Sequence, residues 1–145
     1  MSDIRVIYEF EGKVSVMQPT DSALKQKTLG EIIKRSLPEQ VPYVITDKNA
    51  LPSDREFRDA WKLEQDRIDI DLNRAKDIQL SRLRKARDVK ISALDGKQSE
   101  LTSKGEDLAP IFAEKKRLRD ITEPLKLANP SSLEEIKTLG NLEQV

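Results

Sequence analysis

Between Ile70 and Leu94 the apolar residues recur with a period of eleven. Leu72, Ala75, Ile78 and Leu80 are followed eleven positions later by Leu83, Ala86, Val89 and Ile91, and Leu94 opens a third copy. Eleven residues make three helical turns at about 3.67 per turn, so the stripe runs nearly straight along a helix. Lys76, Gln79 and Lys90 interrupt the apolar arc. The spacing predicts one long helix from near Asp71, a candidate cap, towards Ser103, with Gly96 inside it as a weak point. Ile78 and Val89 widen the stripe on one side and Leu80 and Ile91 on the other, to more than half the circumference. Lys104-Gly105-Glu106 reads as a turn, and Pro110 suits the first turn of a second helix over 106–122 bearing Leu108, Ile111, Phe112, Leu118 and Ile121. The two helices form an antiparallel hairpin. Glu123-Pro124 ends the second arm; Ser131-Ser132 then starts a short helix carrying Leu133, Ile136 and Leu139, with Gly140 as its C′ residue.

The first sixty residues read differently. Ile4, Val6, Tyr8 and Phe10 alternate with Arg5, Ile7, Glu9 and Glu11, Glu11-Gly12 marks a turn, and Val14 and Val16 supply a second strand. Thr28 caps a short helix with Ile32, Ile33 and Leu37 on one face, stopped by Pro38. Val41, Tyr43 and Ile45 alternate as a third strand, which Pro42 confines to a sheet edge. In LPSDREFRDAW, Ser53 and Glu56 have capping-box spacing, and Phe57, Ala60 and Trp61 share one face of the helix this would open. Trp61 either closes the core or, as the single Trp, anchors a binding site. The acidic run 63–71 reads as an extended connector. The expected fold is therefore α+β. Residues 1–61 form a small lobe of two or three strands with two short helices, and 62–145 a helical hairpin with a short C-terminal helix.

Composition narrows the chemistry. Over 145 residues, 26 basic and 26 acidic side chains cancel, so no global field steers the chain to nucleic acid or anionic lipid. There is no Cys and no His, which removes thiolate chemistry, the commonest general base and the commonest metal ligand. Phosphate-loop and nucleophile-elbow motifs are absent, and the carboxylate pairs Asp69/Asp71, Glu106/Asp107 and Glu134/Glu135 lie in charged segments without calcium-loop spacing. No catalytic residue, cofactor or metal is expected, nor is a signal peptide or a membrane-spanning segment. The one charge asymmetry is the helix 74–90, with seven basic side chains (Arg74, Lys76, Arg82, Arg84, Lys85, Arg87, Lys90) against Asp77 and Asp88. It suits either pairing with the acidic connector, within the chain or between subunits, or, as a second reading, a regulator that binds nucleic acid.

The succession PYVITDKNALPSDREFRDAW, IDIDLNRAKDIQLSRLRKAR, EKKRLRDIT and SSLEEIKTL resembles a family of small proteins encoded among the tail and tail-fibre genes of tailed bacteriophages and prophages. The likeness covers most of the chain and is most specific at 51–61 and 75–87; the charged hairpin tip, 97–106, departs from it. It implies a tail-associated or tail-fibre assembly protein, working in the host cytoplasm during assembly or retained in the virion tail, with no catalytic residue to carry over. The implied partner is a tail or tail-fibre subunit. The width of the stripe adds a further expectation. A second helix half as long cannot cover it, so either the N-terminal lobe folds over it, or a second copy or helical partner docks through Leu80, Leu83, Ile91 and Leu94, with Trp61 as an additional contact.

Overall fold

Two left-handed residues set the first hairpin. Glu11 (φ 52°) and Gly12 (φ 77°) form the two-residue turn between β1 (Ile4–Phe10) and β2 (Lys13–Met17) in a computed structural model that describes residues 3–145. Positive φ at both turn positions matches the twist of the flanking strands, which pair from Phe10↔Lys13 to Val6↔Met17. On the other side of β1 lies β3 (Tyr43–Asp47), also antiparallel, giving the order β2-β1-β3. The Lys48 N–H donates to the Asp3 carbonyl at 2.8 Å in this same register. Alternation then makes Arg5/Thr46 and Ile7/Val44 the hydrogen-bonded pairs and turns the amides of Tyr43 and Ile45 outward. The next bonded position would be Pro42, which has no N–H, so the ladder ends at Tyr43↔Tyr8. Central β1 buries both Val6 and Ile7, whereas Tyr43 and Ile45 on the edge strand are 45% and 52% exposed. The alternation in β3 is real, but its apolar members lie on the open face.

Threonines start both short helices of this unit. Thr20 Oγ1 accepts from Ala23 N at the head of α1 (Asp21–Gln26), and Thr28 Oγ1 from Glu31 N at the head of α2 (Leu29–Ser36), which buries Ile32 and Ile33. The helix expected over 53–61 does not form. Asp54, not Ser53, supplies the side-chain cap, its Oδ1 accepting from Glu56 N at 2.9 Å. A single 3-10 turn, Arg58–Ala60, leads directly into a strand, β4 (Trp61–Glu64). Gln65 (φ 50°) and Asp66 (φ 63°) reverse the chain into β5 (Arg67–Ile70). The connector is therefore a second hairpin, pairing Trp61 with Ile70 and Leu63 with Ile68. Cross-strand apolar pairs outweigh the local capping signal here. Asp71 N donates to Ala60 O at 2.8 Å to close the unit, which ends at Asp71 and not at residue 61.

The second unit is organised on α3 (Leu72–Ser103). Gly105, at φ 66°, makes the tip, with Glu106 N bonded to Leu101 O at 3.0 Å, and α4 (Ala109–Asp120) returns with Pro110 in its first turn. Glu123-Pro124 begins another short helix, α5 (Glu123–Leu127), because proline is tolerated in a first turn. Ser132 Oγ accepts from Glu135 N and the Glu135 carboxylate returns to Ser131, opening α6 (Leu133–Leu139). A 3-10 turn, Leu142–Gln144, follows. α3 packs against α4, α5, α6 and this turn, burying Ala75, Leu83, Ile111, Leu118, Leu125 and Ile136. The fold is α+β.

Gly140 ends α6 for a reason other than the one its position suggested. Its φ of −103° is available to any residue. What excludes a side chain is space: a Cβ would lie 2.6 Å from Gln79 Cγ, 2.8 Å from Leu125 Cδ2 and 3.0 Å from Ile136 O. A Cβ on Gly96 would meet nothing within 4 Å. Gly140→Ala should therefore destabilise by about 1–3 kcal/mol through overpacking. Gly96→Ala should stabilise by about 0.5–1 kcal/mol through helix propensity. Urea denaturation of the two variants should give midpoints displaced in opposite directions.

In the first unit, Phe57 and Trp61 are each 1% exposed, and the Arg58 guanidinium lies 6.0 Å from the Trp61 ring centroid. The indole Nε1 has no hydrogen-bond partner among the described residues, so apolar packing and this cation–π contact account for the ring's role. Trp61→Ala should cost about 3–5 kcal/mol. Trp61→Phe, which gives up no hydrogen bond, should cost much less, and thermal unfolding of both variants measures the difference.

Candidate interaction surface

The three polar residues that interrupt the α3 stripe share one job. Lys76 Nζ donates to Ala128 O at 2.7 Å, Gln79 Nε2 to Gly140 O at 2.6 Å, and Lys90 Nζ to Val145 O at 2.8 Å. Ala128 and Gly140 are the C-caps of α5 and α6. Carbonyls at helix C-termini carry the negative end of the helix dipole and lack intrahelical donors, so an ammonium or amide group is the partner they need. Gln79 is itself buried, and its Oε1 accepts from Arg82 Nη1 at 3.2 Å. α4 is fastened similarly. The buried Lys115 donates to Asp95 and, at 2.6 Å, to Gln98 Oε1, while Arg117 Nη1 reaches Gln144 O at 2.6 Å.

This changes the meaning of the basic run. Lys76, Arg82 and Lys90 are engaged within the chain, and Arg87 pairs with Asp88 at 3.0 Å. Helical geometry also scatters the run: Lys76, Arg87 and Lys90 fall on the side of α3 that carries Leu83, and Arg74 and Lys85 on the opposite side. No continuous basic face results. One member of each carboxylate pair serves a backbone amide. Asp69 accepts from Ile70 N, Asp107 from Ala109 N, and Glu135 from Ser131 N. Among the described residues, no three carboxylates gather as metal ligands, and no helix is long and apolar enough to cross a membrane.

Of the five residues expected to make contacts, Leu83 (0% exposed), Trp61 and Leu80 are buried within the chain itself. That expectation needs correction for these three. Besides α4, the chain itself supplies α5, α6 and the 142–144 turn as cover, all of which pack on α3. Ile91 and Leu94 remain half-buried. Leu94 opens into a hollow of about 360 Å³ between α3 and α4, lined by Lys90, Ala93, Lys97, Glu114 and Leu118. Val89, one turn before Ala93, is 72% exposed but lies about 140° around the helix from Leu94. Ala93 and Leu94, backed by Leu118 and flanked by Lys90 and Lys97, form the candidate surface. The signal for it in the sequence is Leu94, which opens a third copy of the stripe.

Comparison with protein-family models, with curated proteins and with solved structures finds no match to this chain.

Glu114, on one wall of the hollow, is ion-paired. Arg117 Nε and Nη2 grip the two oxygens of Glu114 at 3.0 and 2.5 Å. That hydrogen bonding holds the Glu114 carboxyl below the usual carboxylate range and raises Arg117. A carboxyl depressed by folding adds stability above its unfolded pKa and loses it as pH falls through the folded value. Carbon-detected NMR titration should place the Glu114 midpoint below the ordinary glutamate range, and Arg117→Gln should return it upward.

Proposed function

We propose that this chain is a non-enzymatic, tail-associated protein of a tailed bacteriophage or prophage, acting by protein–protein contact. It either assists assembly of a tail or tail-fibre subunit in the host cytoplasm, or stays in the particle as an adaptor between tail components. The setting rests on the resemblance carried by 51–61 and 75–87. The mode of action rests on one observation: Leu94 opens into the α3–α4 hollow beside exposed Ala93, and Val89 stands 72% exposed on another face of the same helix. Burying Val89 or Leu94 against a partner or a second copy of this chain would supply about 1.5–3 kcal/mol per side chain before association costs. The nucleic-acid reading gains no support from a basic run that is scattered around α3 and partly bonded to backbone.

Mass spectrometry of purified particles, together with affinity capture of the tagged chain during infection, tests the setting. A tail or tail-fibre subunit should be recovered in at least one of them. Replacing Val89 and Leu94 together with Glu should abolish that recovery, and any self-association through α3, while the far-ultraviolet spectrum stays unchanged. Recovery of no tail subunit, or a complex indifferent to both substitutions, would sink the proposal. Salt-sensitive binding to duplex DNA would favour a regulator instead.

A further inference from the structure

No strand lies beyond β3 in the three-stranded sheet. β2, the other outer strand, packs against β4 and the 58–60 turn, whereas β3 pairs with β1 alone. The alternation fixed by Arg5/Thr46 and Ile7/Val44 turns the N–H and C=O groups of Tyr43, Ile45 and Asp47 away from β1. Among the described residues, none of these three N–H groups finds an acceptor. Open edges are usually guarded by a lysine, a bulge or a proline within the strand. Residues 43–47 contain none of these, Pro42 lies just outside, and the side chains of Tyr43 and Ile45 are exposed.

The side chains at this edge match a second copy of themselves. One row across the sheet runs Met17–Val6–Ile45. It is fully buried at Val6 and exposed at Ile45, where the sheet stops. An antiparallel β3 from a second copy, centred on Ile45, continues the row with Ile45, Val6 and Met17 in reverse order. In that register the two Ile45 residues exchange backbone hydrogen bonds, and the Asp47 N–H of each copy meets the Tyr43 carbonyl of the other. Every residue of one strand then lies opposite a residue of its twin. Charge permits the pairing. The two Asp47 carboxylates fall at opposite ends of the joined strands, each opposite a Tyr43 that shares a hollow with the cation Lys34 and with Glu39. The chain carries no net charge to hold two copies apart.

We propose that β3 is a dimerisation edge, joining two copies of this chain by antiparallel β3–β3 pairing about a two-fold axis at Ile45. The contact lies in the first unit and rests neither on Leu94 nor on the function proposed above. Sedimentation of the full chain over a concentration series tests it, with crosslinking as the check on register. A reversible monomer–dimer equilibrium is expected. Ile45→Lys should weaken it about a hundredfold, because a two-fold contact feels each substitution twice. Val89→Glu with Leu94→Glu should leave it unchanged. The chain has no cysteine, so Ile45→Cys should form a disulfide with its own copy on mild oxidation, at the Cα spacing of about 5.5 Å of a bonded antiparallel pair. Tyr43→Cys alone should not crosslink, but mixed with Asp47→Cys it should. A chain that stays monomeric at its highest soluble concentration, a dimer indifferent to Ile45→Lys, or Tyr43→Cys crosslinking to itself as fast as Ile45→Cys would overturn the proposal. Protection of the Ile45 and Asp47 amides from hydrogen exchange only on mixing with another protein would give the edge to that protein's strand, and overturn it as well.

Discussion

The buried amide of Gln79 is the constraint on which the second unit depends. It sits where the α3 stripe calls for an apolar side chain, and it is kept there by the Gly140 carbonyl at 2.6 Å. Removing either partner would strand a polar group away from water, a loss larger than the net worth of the bond. Gly140 is bare because Gln79 Cγ and Leu125 Cδ2 occupy the space a Cβ would need. α5 and α6, at five and seven residues, are too short to persist alone. They are held by burial of Leu125 and Ile136 against α3 and by donors at their carbonyl ends. Lys76 and Lys90 repeat the arrangement on either side of Gln79, so one helix serves as a template that terminates the others.

Much of this architecture was legible because local chemistry and tertiary packing agreed. Glu11-Gly12, Thr28, Pro110 and Ser132 each mark a boundary where backbone geometry and capping require the same residue type. The stretch 53–61 was misread because they disagreed. Ser53 and Glu56 have the right spacing for a cap, but a helix there would have denied Ile68 and Ile70 the strand partners they find in Leu63 and Trp61. The turn between them, Gln65-Asp66, has both residues left-handed without a glycine, so it carries no strong sequence signal.

Of the positions the stripe offers for contact, Leu80 and Leu83 are buried within the chain. A stripe too wide for one neighbouring helix does indicate further cover, but most of that cover comes from the chain's own short helices, whose reach along α3 cannot be judged from spacing. Lys76, Gln79 and Lys90 were visible as intruders in an apolar arc. Their partners are backbone carbonyls, which leave no trace in side-chain identity.

The three carbonyl anchors join residues 52, 61 and 55 positions apart. When α3 emerges during synthesis, none of its anchoring partners yet exists, and Leu83 and Ala75 remain in water until α5 and α6 have followed. The loop-closure entropy of these contacts grows only slowly with length, so the delay is set by translation and helix docking rather than by chain statistics. For the seconds in between, the nascent chain presents a long, nearly straight apolar face that the finished protein hides.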